Sequence, residues 1–316
     1  MEALKVLALL DRDLGLLERL ERNRPEYLQG VDLRQIEMTK PRWISHADRR
    51  TIGAMYEDYP AVFILSTGRS ASKFLAELLN LAPNIAAFHE PRPALPYFSN
   101  FAFHHQADRE VLTKMIEACR MEMVLRAFLK NTVYTESNQC LSFFAPVLAE
   151  LFQQSKFVHI VRHPGDFVRS AVRKGWHKND SIWEAGRVRM SDETAWGKLN
   201  QIEKLSWVWA TTHSFMEDFK GAIPPDRSLT LRLEDLFEHK EELDRLMAFA
   251  GAEKVGEKEL KALMEKKINE LVIHPNEPAN MRKQSGFPPY REWTREMKEN
   301  LRRFCGPLAK TYGYEL

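Results

Sequence analysis

Short apolar runs of strand length alternate along this chain with segments whose apolar residues recur at helical spacing. Ala61 to Leu65 is an apolar run with β-branched members and reads as a buried strand, and Phe74, Leu75, Leu78 and Leu79 follow it at helical intervals. The order repeats at Lys156 to Lys174, where an apolar strand ends at Arg162 and a helix carrying Ser170 follows. Thr230 to Leu236 alternates apolar and polar residues, as a strand does. Ile202, Leu205, Trp209, Thr212, Met216 and Phe219 predict a long helix and make Trp207 and Trp209 core residues. Met297, Leu301, Phe304 and Leu308 predict a last one. Near the start, Leu7, Leu10, Leu14 and Leu17 keep helical spacing, with Leu20 and Tyr27 as further apolar marks and breaks at Pro25 and Pro41. The pattern predicts an N-terminal helical extension over 1–57, without chemistry of its own, and one α/β domain over 58–316.

Chemistry enters at the turns. Thr67-Gly68-Arg69-Ser70-Ala71-Ser72-Lys73 lies between a strand and a helix and brings a glycine, hydroxyls and two cations to a helix N-terminus. Unpaired N–H groups, the positive end of the helix dipole and the Arg and Lys charges all favour a phosphate or sulfate there. The segment is not the G-x-x-x-x-G-K-[ST] loop of nucleotide triphosphatases: no second glycine precedes Lys73, and Phe74 stands where a magnesium-binding hydroxyl is required. At the second turn, Arg162 offers a planar bidentate fork and Ser170 a neutral donor from another direction.

Together these segments resemble sulfotransferases that use 3′-phosphoadenosine 5′-phosphosulfate (PAPS). Their 5′-phosphosulfate loop often reads T-G-R-S-G-T; here Ala71 replaces the second glycine and Ser72 the threonine. The second segment resembles their 3′-phosphate motif, a strand ending in Arg-[Asp/His]-Pro and a serine eight residues after that Arg. Thr230-Leu-Arg-Leu-Glu-Asp-Leu236 resembles their L-R-x-E-D-L strand, and Tyr312-Gly-Tyr314 their C-terminus. Asn280 to Gly286 resembles the basic loop that closes over the 3′-phosphate, with Arg282 and Lys283 as candidate ligands. The likeness runs from about residue 60 to 314 and is nearer the carbohydrate and tyrosine-protein branch, of bacterial type. It implies a P-loop-like, three-layer α/β fold with a central parallel sheet flanked by helices. It also implies PAPS as donor and adenosine 3′,5′-bisphosphate (PAP) as product, with Thr67, Gly68, Arg69, Ser70, Ala71, Ser72 and Lys73 on the phosphosulfate and Arg162 and Ser170 on the 3′-phosphate.

Sulfuryl transfer calls for donors on the leaving oxygen, a base for the acceptor hydroxyl and in-line placement. Arg69 and Lys73 are candidates for the first. For the base, Glu90 in Ala86-Ala-Phe-His-Glu-Pro-Arg92 is favoured, because tyrosine-protein and some carbohydrate sulfotransferases carry a glutamate at a comparable distance beyond the loop. His89 is the rival, and neighbours on a strand point to opposite faces, so one of the two reaches the site. Relatives carry a lysine after the second helix; Lys130, Glu136 and Asn138 lie in the corresponding region, with Glu136 and Asn138 expected to face the site. Pro93 to Gln106, with Tyr97, Phe98, Phe101 and Phe103, and His177 to Gly197, with Trp183 and Trp196, are either acceptor walls or ordinary core and loop.

Composition narrows the partners. The formal net charge is +2, from 46 basic and 44 acidic residues, so no nucleic-acid or anionic membrane surface is implied. The histidines show no metal-ligand spacing, and the 3 cysteines, Cys119, Cys140 and Cys305, are far apart, as reduced thiols of a cytoplasmic protein. No run reaches membrane-span length, and Met1 to Arg12 is short for a signal peptide. The expected partner is a hydroxyl-bearing acceptor such as a glycan, glycolipid, tyrosine or metabolite; homo-oligomerisation stays open. The competing readings are a P-loop kinase or triphosphatase, and a non-catalytic binding protein on the same fold.

Overall fold

A computed structural model describes residues 49–178, 186–265 and 286–316. The chain divides into the compact units Met1–Gly53 and Ala54–Leu316. The N-terminal helical marks from Leu7 to Tyr27 lie outside the described residues.

In chain order the elements are α1 (Arg49–Glu57), β1 (Val62–Leu65), α2 (Ser72–Leu79), β2 (Ile85–His89), α3 (Pro96–His104), α4 (Arg109–Leu129) and β3 (Val133–Ser137). A 3₁₀ turn (Gln139–Phe144), α5 (Ala145–Leu151), β4 (Lys156–Val161), α6 (Pro164–Arg173), α7 (Glu193–Lys198) and α8 (Gln201–Gly221) follow. Then come β5 (Ser228–Arg232), α9 (Leu233–Glu238), α10 (Lys240–Phe249), α11 (Glu257–Glu265) and α12 (Arg295–Thr311).

The five strands form one parallel sheet in the order β2-β3-β1-β4-β5. β1 is central and buried throughout, which is why it reads as an unbroken apolar run and not as an alternation. Val62 and Ile64 turn to one face, where Val158, Ile160 and Leu231 join α2, α9 and α10 in one core. On the other face, Phe63 contacts Tyr134, Phe152 and Phe157, while Val161, α6, α8 and α12 build a second core around Trp209. The result is helix, sheet, helix. Trp209 is fully buried, as its spacing predicts, and its Nε1 donates to the Arg162 carbonyl at 2.9 Å.

Topology places a crevice. From β1 the chain leaves toward β2, whereas from β4 it leaves the opposite way toward β5, so the connections diverge between these two neighbours. In open parallel sheets such a divergence opens a crevice at the carboxyl ends of the strands. The turns that emerge there are residues 66–71 and 162–163.

Candidate active site

The turn after β1 is held by its own hydroxyls. Gly68 N donates to Ser66 Oγ (3.0 Å), and Ser70 Oγ and Thr67 Oγ1 both donate to the Gly68 carbonyl (3.0 and 3.2 Å). Gly68, Arg69 and Ala71 have φ of 79°, 55° and 55°. Gly68 also lies against the Gln139 carboxamide, since a β-carbon there would fall 1.8 Å from Gln139 Oε1 and push that side chain aside. Ala71, which stands where the resembled loop has glycine, holds a left-handed conformation that costs an L-residue about 1–2 kcal/mol. As N-cap of α2 it offers no side-chain acceptor, so the first N–H groups of that helix have no cap from it.

The turn after β4 meets this loop. Arg162 Nη1 donates to the Arg69 carbonyl at 2.6 Å, and Arg69 Nε donates to Ser170 Oγ at 3.0 Å. Burial, then repulsion from Arg162, Arg187 and Arg173, pulls the Arg69 pKa down, with Glu90 acting against it. Arg162 is likewise lowered, first by burial, with Asp166 and Glu234 in partial compensation. Both shifts come first from burial, and at Arg69 the neighbouring guanidiniums add to it. His163 caps α6, its Nδ1 accepting from Gly165 N at 3.1 Å. Glu234, from the Thr230 to Leu236 segment, accepts from His163 N at 3.0 Å and from Tyr314 OH at 2.6 Å, so the C-terminal Tyr-Gly-Tyr closes onto the same turn.

Lys73 is in the first turn of α2, its side chain 63% exposed and its Nζ 3.7 Å from Glu77. Arg282 and Lys283 lie outside the described residues.

Beside the loop, a cavity of about 250 Å³ is lined by polar groups of Ser66, Thr67, Glu90, Asn138, Gln139 and Cys140 and by Leu95, Phe143, Val188, Val208 and Thr212. Trp176, His177 and Arg187 form a further wall, with the Arg187 guanidinium 3.7 Å above the Trp176 ring. Glu90 has φ of 43°, its N–H donates to the Ser137 carbonyl at 3.2 Å, and its carboxylate accepts from Gln139 Nε2 at 3.3 Å. His89 is not part of the lining; its Nδ1 is 3.3 Å from the Ser137 carbonyl.

Asn138 reaches the cavity, but Glu136 does not, contrary to the expectation that both face the site. The Glu136 carboxylate is fully buried behind Asn138, held by Arg120 Nε and Nη2 (2.7 and 2.9 Å), Tyr134 OH (2.6 Å) and Asn138 Nδ2 (2.7 Å). Lys130 is excluded by topology: it follows α4 at the amino end of β3, across the sheet from the crevice. From Pro93 to Gln106, Leu95 and Ser99 line the cavity, while Phe103 packs on Phe143 and Trp207. Trp183 and the Tyr97 side chain lie outside the described residues, and Trp196 packs on His177 and Trp207. The residues that sequence reasoning missed are Gln139, Ser142, Trp176 and Arg187. Gln139 alone carried a signal, its place just beyond the carboxyl end of a central strand. Among the described residues no cluster of His, Cys, Asp and Glu is arranged to hold a metal, and no helix is long and apolar enough to cross a membrane.

Several solved structures are similar to the chain. The sulfotransferase domain from the curacin biosynthetic pathway shares 18% identity, over 82% of this chain and 99% of that one, with a TM-score of 0.49. Sulfotransferase STF9 from Mycobacterium avium shares 14%, over 87% and 81%, with a TM-score of 0.48. Mouse sulfotransferase SULT7A1, complexed with PAP, shares 14%, over 85% and 95%, with a TM-score of 0.39. Among curated proteins none matches. The profile of the Sulfotransferase family matches residues 60–255, from just before β1 to beyond α10, and the chain belongs to that family.

Proposed function

We propose that this chain transfers the sulfuryl group of PAPS to a hydroxyl acceptor seated in the cavity beside Glu90. The observation that carries the reading is the meeting of the two turns, in which Arg162, Arg69 and Ser170 form one bonded chain at the divergence of β1 and β4. Two half-buried guanidiniums that repel each other favour a multiply charged anion. A nucleotide with phosphates at its 3′ and 5′ positions meets that need at both turns.

On this reading the N–H groups and hydroxyls of Thr67, Gly68, Ser70, Ala71 and Ser72 hold the 5′-phosphosulfate, and Arg162 and Ser170 hold the 3′-phosphate together with Arg282 and Lys283. Arg69 spans the two, because its Nε is engaged by Ser170 while its Nη groups have no hydrogen bond among the described residues. Lys73 reaches the leaving oxygen by giving up Glu77, an exposed pair worth about 0–1 kcal/mol. PAPS supplies an activated sulfur on a phosphate leaving group. Glu90 takes the proton of the acceptor hydroxyl as the acceptor oxygen bonds to sulfur; the bond from sulfur to the 5′-phosphate oxygen breaks, and its electron pair leaves on that oxygen. Donors fixed on that oxygen before reaction contribute most of the catalysis.

A carboxylate base after the second strand supports a glycan or tyrosine hydroxyl over a small phenol. The kinase reading lacks support: the position that needs a magnesium-binding hydroxyl is Phe74, buried in the core at 3% exposure. The test is transfer of label from radiolabelled PAPS to a panel of glycan, tyrosine-peptide and small-alcohol acceptors. Labelled ester formed by wild type and abolished by Glu90→Gln, with PAP binding kept, supports the reading. PAP binding without transfer to any acceptor would instead indicate a binding protein, and Glu90→Gln at near wild-type rate removes Glu90 as the base.

A further inference from the structure

We infer that Gln139 is a positioning residue that ties the base to the donor loop; this rests on the reading of Glu90 as the base. Gln139 Nε2 donates to Glu90 Oε1 at 3.3 Å, the one hydrogen bond the Glu90 carboxylate makes among the described residues. The other end of the same carboxamide lies against the donor loop, where a β-carbon on Gly68 would meet Oε1 at 1.8 Å and Cδ at 2.6 Å. Trp176 closes over Gly68 as well, 3.0 Å from that same position. One side chain therefore touches both the turn that receives the donor and the carboxylate that faces the acceptor.

The backbone beneath Gln139 is fixed from two sides. Asn138 Oδ1 accepts from Cys140 N at 2.9 Å, and Asn138 is itself held through Glu136 and Arg120. Ser142 Oγ accepts from Ser66 N at 3.2 Å and donates to Ser66 O at 2.9 Å, joining the 3₁₀ turn to the donor loop. Glu90 is different, exposed at the end of an edge strand. A base must be aimed, since a displacement of about 1 Å can cost about a hundredfold in rate. The choice of an amide also fits. A neutral N–H orients the carboxylate without placing a further full charge beside it. With Oε1 engaged by Gln139, Oε2 is the atom left for the acceptor proton.

The test uses Gln139→Leu, similar in size without the donor, read by PAP release from PAPS with water as acceptor, and by thermal stabilisation with PAP. The expected result is a fall in kcat of about ten- to a hundredfold, with KM for PAPS and stabilisation by PAP within about twofold of wild type. In a Glu90→Asp background, whose shorter carboxylate cannot meet Gln139, the same change should cost less than about twofold. A crystal structure of the Gln139→Leu complex with PAP gives a readout that needs no turnover, and Glu90 should be displaced or spread over rotamers there. Glu90 fixed in its original place, unchanged kcat, or loss of PAP binding in Gln139→Leu would each overturn the inference. If Glu90→Gln is inactive while Gln139→Leu is not, only the bridge fails; if Glu90→Gln is active, the base assignment fails first.

Discussion

Arg69 Nε donates to Ser170 Oγ across 101 residues of sequence. That bond, with the one from Arg162 to the Arg69 carbonyl, joins two strand-turn-helix units that the sequence separates widely. Neither unit is complete alone: the first brings uncapped N–H groups and the second brings the fork that reaches across to it.

The two members of the second unit should contribute unequally to nucleotide affinity. Hydrogen bonds to charged groups are worth about 1.5–3 kcal/mol, so Arg162→Ala should weaken PAP binding by about ten- to a hundredfold or more. Ser170→Ala should cost about tenfold or less. Isothermal titration with PAP measures both, and equal, negligible losses would detach this turn from the nucleotide.

Backbone conformation in the loop gives opposite expectations for two neighbours. Gly68→Ala puts a β-carbon at a φ of 79° and must displace the Gln139 carboxamide, so it should lower thermal stability by about 1 kcal/mol and weaken donor binding. Ala71→Gly relieves a left-handed alanine and should raise thermal stability, by about 1 kcal/mol. Melting curves with and without PAP separate the two.

Acid should unfold this protein through buried imidazoles. His159 Nε2 and His213 Nδ1 are 2.7 Å apart inside the layer formed by β4 and α8, facing Glu217, Lys220 and Tyr312. Burial pushes His213 down to about 3 and His159 well below its ordinary value. Because the folded values lie under the unfolded one of about 6.5, the stability they confer is complete above about pH 6.5 and drains away as pH falls toward about 3. His213 alone should account for a loss of about 2 kcal/mol at about pH 5. Urea titrations at stepped pH check this, and His213→Gln should flatten the slope.

The Arg120–Glu136 pair is structural on this account. Arg120→Leu leaves a fully buried carboxylate without its cation and should destabilise the chain by about 3–5 kcal/mol. Chemical denaturation reads the loss, and PAP affinity of the folded fraction should be little changed.

Much of this was legible in the sequence because it is local. β1, β4 and the helices after them show as apolar runs and helical spacings, and the turns between them show their cations and glycine. Periodicity alone places Trp209 in the core. What escaped depends on tertiary placement. Glu136 and Asn138 are two residues apart, yet only Asn138 opens on the cavity, because Arg120 on α4 draws the other carboxylate inward, and no local pattern records that. Lys130 is close to these residues in sequence but lies at the amino end of a parallel strand, away from the crevice. Gln139 has meaning only once Gly68 and Glu90 are beside it.

The most direct measurement is thermal stabilisation by PAP, with ADP plus magnesium as control, on wild type and Arg162→Ala. A ligand that binds only the folded chain adds about 2.7 kcal/mol at about a hundred times its dissociation constant. Stabilisation by PAP alone, lost in Arg162→Ala, is the predicted result. Stabilisation by ADP and magnesium instead, or by PAP equally in both proteins, would contradict it.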